Sequence, residues 1–332
     1  MNGNGKSRGL FFKTFVVTML LALAVVGGVM FFMRRGVGQT PTVPAYSAQP
    51  FFNPNTHAEG NWTRRETFFT LLIFGYDDGL NTDTIMVAAF DAVERNAYII
   101  SIPRDTRIDV GRNVQRLNSA YVIGRRFGGD GHNSGVDQLK REVQTIIGFR
   151  PDFYVSVEED GFVRLIDAIG GVNVNVPFHM RYNDPFQNLR IDIPAGEQHL
   201  DGENALHFVR YRIGENNQNT INDTRRMQHQ QQLLDAIMQQ MLTPARITSI
   251  PELMRTYRDH VNTDLTTTQL LWFAEQARQG EITLHTYNYP TTSVRLTHWY
   301  EIPNADAALE LINRTINPFT QELTMDNLQL AR

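Results

Sequence analysis

Four charged residues stand where three apolar segments begin or end. Asp77 follows "TFFTLLIFGY", Asp83 opens "DTIMVAAFD", and Arg104 and Asp105 follow "NAYIISIP". These apolar runs predict buried strands, and the short links between them favour an antiparallel meander. In a meander, the end of the first strand, the start of the second and the end of the third lie at the same end of the sheet, here called its edge. We therefore predict that the four side chains meet at one site.

The chemistry available to Asp77 and Asp83 is metal binding. Two carboxylates on neighbouring strand ends can ligate Mg²⁺ or Mn²⁺, which prefer oxygen ligands. The alternative is that both are turn residues, because the intervening "DDGLNTD" is rich in residues that stabilise turns by themselves. Both interpretations remain open at this point.

A second group of polar residues lies further along the chain. Arg210 and Arg212 are two apart in "ALHFVRYR", which we predict to be a strand, so both would lie on one face. In the predicted helix "DTRRMQHQQQLLDAIMQQML", Asp223, Arg226 and Gln230 fall within about 60° of each other. Guanidinium groups suit bidentate contacts with phosphate. The alternatives are a solvated strand face and a helix cap at Asp223 paired with Arg226.

The elements that would position these residues alternate along the chain. The patterns predict further helices near 134–149, 159–171, 251–260, 266–278 and 305–316, and strands near 172–176 and 282–287. Interleaved strands and helices favour an α/β fold. We predict a layered α-β-α domain around a central mixed, largely antiparallel sheet.

Composition excludes several classes of function. Lys and Arg total 31 against 35 Asp and Glu, a net charge of −4, which gives no case for nucleic-acid binding. The chain has no cysteine, so disulfides, thiolate metal sites and cysteine nucleophiles are excluded. The P-loop, zinc-protease and serine-hydrolase motifs are also absent from the sequence.

The N-terminus predicts one transmembrane helix. Residues 14–33 form an uncharged apolar run, which at ~1.5 Å per residue spans roughly 30 Å, one hydrocarbon core. A cleaved signal peptide is the alternative, but its apolar region is usually shorter, ~7–15 residues. More basic residues precede the run than follow it, so we expect residues 1–13 in the cytoplasm. The polar, proline-containing residues 34–66 are typical of an extracytoplasmic stalk.

Six motifs in order resemble one protein family. They are "LLIFGYDDGLNTDTIMV", "YIISIPRDTRIDV", "RLNSAY", "DGFVRLIDAIGGVNVNVP", "GEQHLDGENALHFVRYR" and "NDTRRMQHQQQLLDAI". Together they resemble the LytR-CpsA-Psr family over roughly residues 68–242. The later "VNTDLTTTQLLWFAEQA" is similar to the family's C-terminal part. We therefore expect a catalytic domain over 67–320 and a tail over 321–332.

The resemblance implies a single-pass protein of the cell membrane whose catalytic domain is extracytoplasmic. Such phosphotransferases move an anionic glycopolymer, for example a teichoic acid or a capsular or wall polysaccharide, from a polyprenyl-pyrophosphate carrier to peptidoglycan. The carrier's lipid tail would lie in an apolar tunnel between sheet and helices.

The resemblance also implies roles for individual residues. Mg²⁺, with Mn²⁺ as a substitute, would lie near Asp77 and Asp83. The residues implied around the pyrophosphate are Arg104, Arg210, Arg212 and Arg226, with Asp223 and Gln230 nearby and Arg116 as a further candidate. Asp105 and Asp223 are candidates for the base that takes the proton of the acceptor hydroxyl.

The chain departs from the family's usual pattern in two places. Arginines often stand in the first aspartate loop and just before the second aspartate, where this chain has Asp78, Gly79, Asn81 and Thr82. The long helix often carries a further arginine where His229 stands. These departures predict weaker or altered phosphate binding, or a specialised paralogue with low transferase activity.

Two other functions stay open. A phosphohydrolase would use the same site to cleave the carrier pyrophosphate with water. A membrane-bound regulatory or sensing protein of envelope maintenance is the other, although the sequence shows no helix-turn-helix motif with a basic face.

Overall fold

The computed structural model describes eight stretches of the chain and six single residues. They are 40–52, 62–76, 80–111, 115–184, 189–211, 260–279, 282–296 and 298–331, with 214, 219, 229, 232, 233 and 236. They divide into two compact units. The sheet unit comprises Thr40–Val157, Asn262–Thr266 and the chain from Gln279 onward, and the helical unit comprises Glu158–Val261 and Thr267–Arg278.

A six-stranded sheet forms the centre of the sheet unit. Its strands are β1 (Phe68–Tyr76), β2 (Thr82–Asp91), β3 (Asn96–Ile102), β4 (Phe153–Glu158), β9 (Val261–Thr263) and β10 (Thr283–Asn288). They lie in the order β10-β3-β2-β1-β4-β9. Strands β1 and β3 are antiparallel to β2, and β10 is parallel to β3. The predicted mixed α/β fold with a central mixed sheet is therefore confirmed.

Three helices and a β-hairpin complete the sheet unit. They are α1 (Ala120–Phe127), α2 (Gly131–Ile147), α6 (Ala305–Thr315) and the hairpin of β11 (Thr291–Arg295) and β12 (Trp299–Pro303). One buried cluster joins the three helices to the sheet, and it includes Leu72 and Phe74 of β1, Leu139 of α2 and Ile312 of α6. Successive residues of β1 are buried from Phe68 to Phe74, as expected of a strand covered on both faces.

Polar contacts attach the chain before β1 to the rest of the sheet unit. The buried carboxylate of Asp152 accepts hydrogen bonds from the Ser47 hydroxyl at 2.5 Å and from the Thr70 backbone N–H at 2.8 Å, and it pairs with Arg64. Residues 40–52 and 62–66 therefore belong to the folded sheet unit, although they were predicted as stalk. The prolines and polar residues of these segments suggested a stalk. The contacts that attach the segments are made by polar side chains such as Ser47 and Arg64, which leave no apolar pattern in the sequence.

The helical unit contains helices and two short antiparallel strand pairs. Its elements are α3 (Glu159–Ala168), β5 (Val172–Val176), β6 (Met180–Asp184), β7 (Leu189–Ile193), β8 (Gly196–Leu200), α4 (Gly202–Arg210) and α5 (Thr267–Arg278). Strand β5 pairs with β8, and β6 pairs with β7. The predicted helices near 159–171 and 266–278 and the predicted strand at 172–176 are confirmed.

The strand predicted for "ALHFVRYR" is wrong, because most of this segment belongs to helix α4. Asp201 caps the helix by accepting a hydrogen bond from the backbone N–H of Asn204 at 2.9 Å. Ala205 and Phe208 are buried, which is the spacing of one helix face. The shared strand face proposed for Arg210 and Arg212 therefore does not exist.

The predicted anchor at 14–33 lies outside the described residues. Among the helices that the structure describes, none is long and apolar enough to cross a membrane. The anchor stays a prediction from the sequence.

Candidate active site

The predicted meander brings three chain segments to one sheet edge. Tyr76, the last residue of β1, pairs with Thr82, the first residue of β2. Near the same edge, Ile85 of β2 pairs with Ile102, the last residue of β3. Asp77 lies outside the described residues, but its chain neighbour Tyr76 is at this edge. The antiparallel arrangement predicted from the sequence is confirmed.

A β-bulge interrupts the pairing at Asp83. Gly75 pairs with Thr84 and Tyr76 pairs with Thr82, so Asp83 is the extra residue between them. A bulge bends the strand and changes the direction of the side chains beside it, and bulges are frequent next to active sites.

The loop that leads into this bulge is also unusual. Leu80 has a φ of 64°, in the left-handed region that a bulky side chain rarely adopts. Backbone held in that region is frequent at functional sites. The left-handed conformation at Leu80 therefore lies just before β2, close in sequence to the bulge at Asp83.

These backbone features are compatible with a metal site at the edge. Carboxylate oxygens are the donors that Mg²⁺ prefers, and the register places the Asp83 backbone beside the end of β1. The side chains of Asp77 and Asp83 lie outside what the structure describes. Within the described part of the chain, no cluster of three or more acidic or histidine side chains could hold a metal ion.

Asp105 links two arginines at the end of β3. Its carboxylate lies 3.6 Å from Nε of Arg104 and 3.3 Å from Nε of Arg116. The Arg104 side chain is 53% exposed and that of Asp105 is 32% exposed, so the group faces solvent. The structure thus brings together three of the residues named from the sequence, including Arg116, the weaker candidate.

Hydrogen bonds fold two segments together around this group. Thr106 donates its backbone N–H at 3.0 Å and its hydroxyl at 2.6 Å to the carbonyl of Pro103, which closes a turn. Leu117 donates its N–H to the carbonyl of Thr106 at 3.0 Å, and Asn118 donates to that of Arg104 at 2.9 Å. The arginine that precedes Leu117 is thereby held beside the turn.

The β11–β12 hairpin supplies a second support for Arg116. Its guanidinium donates a hydrogen bond from Nη2 to the carbonyl of Trp299 at 3.0 Å and lies 5.5 Å from the ring centroid of buried Tyr300. Sequence reasoning missed this hairpin. The aromatic segment "WYEIP" has strand propensity and could have indicated it.

Arg210 is the one member of the second polar group that the structure describes. It is the last residue of α4 and is exposed. Burial lowers the pKa of His207 in the same helix and raises the pKa of Tyr211, which follows it. The other members of that group, Arg212, Asp223, Arg226 and Gln230, lie outside the described residues.

Comparison with protein families decides the family to which the chain belongs. The LytR_cpsA_psr family model matches residues 47–317. The chain belongs to the LytR-CpsA-Psr family. The resemblance seen in the sequence motifs is thus confirmed over most of the chain.

Several characterised relatives are members of the same family. The chain is 29% identical to the Bacillus subtilis polyisoprenyl-teichoic acid–peptidoglycan teichoic acid transferase TagV over 60% of this chain and 51% of TagV. It is 26% identical to the regulatory protein MsrR of Staphylococcus aureus over 59% of this chain and 56% of MsrR. It is 26% identical to the teichoic acid transferase TagU of Enterococcus faecalis over 78% of this chain and 80% of TagU. The chain spans only about half the length of TagV and of MsrR.

The fold of this chain resembles that of a relative whose crystal structure is known. The crystal structure of Bacillus subtilis TagV superposes with a TM-score of 0.56 at 24% identity, covering 81% of this chain and all of the TagV chain. At this identity the likeness concerns the fold alone.

His229, where the sequence motifs predict a departure from the family pattern, is among the residues that the structure describes. Its ring is buried and stacks on Phe208 at a centroid distance of 4.9 Å, with Phe178 at 6.0 Å. This position therefore contributes packing within the helical unit.

The described geometry suits the binding of an oxyanion. Two guanidinium groups stand beside one carboxylate that holds them, at an edge that also carries the Asp83 bulge. Arginine forks bind phosphate oxygens with strong, charge-assisted hydrogen bonds. A solvent-facing position gives a large polymeric substrate access.

Proposed function

We propose that this protein is an extracytoplasmic phosphotransferase that moves an anionic glycopolymer from a polyprenyl-pyrophosphate carrier to peptidoglycan. The observation that carries the proposal is the group in which Asp105 holds Arg104 and Arg116 at the edge of the sheet. Family membership supports it, and so do the names of TagV and TagU, which describe transfer of teichoic acid to peptidoglycan. The polymer is teichoic-acid-like or a capsular or wall polysaccharide.

The proposed reaction exchanges the phosphoanhydride bond of the carrier pyrophosphate for a phosphodiester bond to the acceptor. The acceptor hydroxyl oxygen bonds to the polymer-linked phosphorus, the bond from that phosphorus to the bridging oxygen breaks, and polyprenyl phosphate leaves. Arg104 and Arg116 would stabilise charge on the transferred and leaving phosphates, with Arg210, Arg212 and Arg226 as further proposed contacts. Asp105 and Asp223 are the proposed candidates for accepting the hydroxyl proton.

Mg²⁺, or Mn²⁺ in its place, is the proposed cofactor of this site. Asp77 and Asp83 would hold the ion, which when bound would neutralise charge on the pyrophosphate. The position of Asp83 in a bulge at the sheet edge supports this assignment.

A product assay tests the proposed function. The purified chain is mixed with a polyprenyl-pyrophosphate oligosaccharide, peptidoglycan fragments and Mg²⁺, and the products are separated. We expect an oligosaccharide–phosphate–peptidoglycan adduct that disappears when EDTA is added and returns with excess Mg²⁺.

Two results would contradict this expectation. Free oligosaccharide phosphate without an adduct would identify a phosphohydrolase. Intact donor in every reaction would leave the transferase proposal without support and would favour a regulatory role like the one in the name of MsrR.

A further inference from the structure

One face of the β11–β12 hairpin is open to solvent and carries an unusual group of side chains. Trp299 is 58% exposed, although large aromatic side chains are mostly buried. Arg295 pairs with Trp299 across the hairpin, and its guanidinium lies 5.9 Å from the indole centroid. Glu301, two residues along the strand from Trp299, lies on the same face.

The exposure of Trp299 does not come from a loosely packed hairpin. Tyr300, the next residue, points to the opposite face and is only 6% exposed. The carboxylate of Glu301 accepts hydrogen bonds from the hydroxyls of Thr291, at 2.7 Å, and Ser293. The hairpin is thus ordered on both faces, and the indole is displayed from a fixed strand.

The hairpin is joined directly to the segment that carries the arginine–aspartate group. Glu301 donates its backbone N–H to the carbonyl of Asp105 at 3.0 Å, and Arg107 donates its N–H to the carbonyl of Glu301 at 2.9 Å. The side chain of Arg116 donates to the carbonyl of Trp299 at 3.0 Å. Trp299 is therefore rigidly placed next to the proposed phosphate site.

We propose that this face binds the acceptor, by stacking a sugar ring of a peptidoglycan glycan strand on the indole of Trp299. This inference rests on the proposed function, which it extends to the acceptor side of the same site. An indole offers a large, flat apolar surface that matches the C–H face of a pyranose ring. The charged groups of Arg295 and Glu301 beside it can bond to sugar hydroxyl and acetamido groups.

The composition of this face favours a glycan over a lipid or protein partner. Among the hairpin residues that the structure describes on this face, Trp299 carries the one aromatic ring. Hydroxyl, carboxylate and guanidinium groups surround it, as in polar sites that fix a ligand's orientation. Transfer also requires that the acceptor hydroxyl be held close to the reacting phosphorus. A sugar platform joined to the Asp105 segment meets that requirement.

Calorimetry with the full chain in detergent tests the platform directly. The probes are soluble peptidoglycan oligosaccharides that carry peptide stems, and the stem peptide alone. We expect Trp299→Ala to weaken oligosaccharide binding about tenfold, and Trp299→Phe, which keeps an aromatic face, to stay within about threefold of wild type. Phe127→Ala is the matched control, because Phe127 is an aromatic residue of the same unit that is 82% exposed; it should bind normally.

Several results would overturn the inference. They are normal binding by Trp299→Ala, equal losses in Trp299→Ala and Phe127→Ala, binding of the stem peptide as tight as that of the oligosaccharide, and an absence of oligosaccharide binding by wild type.

The product assay distinguishes this inference from the proposed function. If wild type and Trp299→Ala both form the adduct with the same acceptor KM, the inferred sugar-binding role of Trp299 is wrong and the proposed transferase function still stands. A Trp299-dependent binding isotherm without any adduct would refute the transferase while the glycan site remained.

Discussion

Asp105 is the residue on which the candidate site depends. Its carboxylate lies within 3.6 Å of Arg104 and 3.3 Å of Arg116, which come from different segments of the chain. The group is partly exposed, and exposed ion pairs contribute only about 0–1 kcal/mol to stability. The close pairing is therefore better explained by the need to orient the two guanidinium groups than by stability.

Replacing Asp105 with asparagine should separate these two roles. If Asp105 only orients the two arginines, we expect Asp105→Asn to lower kcat on the order of tenfold to a hundredfold, the range measured for residues that orient metal ligands. If Asp105 is also the base, the loss should reach roughly a hundredfold to ten-thousandfold. The free energy of unfolding should change by no more than about 1 kcal/mol. Turnover and chemical denaturation would be measured on the same preparation.

Asp109→Asn provides the control, because Asp109 is an exposed aspartate of the same segment. It should change neither quantity. Normal turnover by Asp105→Asn would mean that the orientation of the two arginines is unimportant for catalysis.

At the scale of elements, the junction between the preceding chain and the sheet depends on a buried polar group. Asp152, the residue before β4, is fully buried and binds Ser47, Arg64 and Thr70. Burial of one charge without its partner costs far more than an exposed pair gains. Residues 40–52 and 62–66 should therefore be held to the domain in an all-or-none manner.

Asp152→Asn should lower the free energy of unfolding by about 3–5 kcal/mol, because the substitution leaves the Arg64 guanidinium buried without its counter-charge. Urea denaturation followed by circular dichroism measures this change. The comparison variant is Arg141→Ala, whose ion pair with Asp137 is exposed and should matter by no more than about 1 kcal/mol. Equal effects of the two variants would show that the junction contributes little.

At the scale of the whole molecule, topology determines which substrates are available. The proposed donor and acceptor are substrates on the outer side of the membrane. The proposal therefore requires residues 40–331 to be extracytoplasmic. The apolar run at 14–33 and its flanking basic residues predict this orientation. The absence of cysteine from the chain allows a direct test with single introduced thiols.

A thiol at Val93 should react with a membrane-impermeant maleimide in intact cells. Val93 is 70% exposed in the turn between β2 and β3. Its backbone N–H donates a 3.0 Å hydrogen bond to the Asp91 carboxylate, and a cysteine at this position keeps that donor. Ser7→Cys, in the segment predicted to be cytoplasmic, should react only after the membrane is permeabilised. Labelling of Ser7→Cys but not Val93→Cys in intact cells would reverse the topology.

Local patterns in the sequence determined the elements whose formation depends on nearby residues. The apolar runs of β1 to β3, with short links, specified an antiparallel meander, and the end of α2 at Gly148, which has a φ of 84°, followed from glycine's freedom in the left-handed region. The meander in turn predicted that Arg104 and Asp105 lie at the edge where β2 begins. The ordered motifs predicted the family.

Only the tertiary structure decided the features that depend on distant residues. The segment "ALHFVRYR" has both strand and helix patterns, and the Asp201 cap together with burial of Phe208 selected the helix. The bulge at Asp83 depends on pairing with β1, and the hairpin contact to Arg116 joins residues far apart in the chain. Neither leaves a periodic signal in the sequence, because hydrogen bonds between distant segments are made by single groups rather than by repeating patterns.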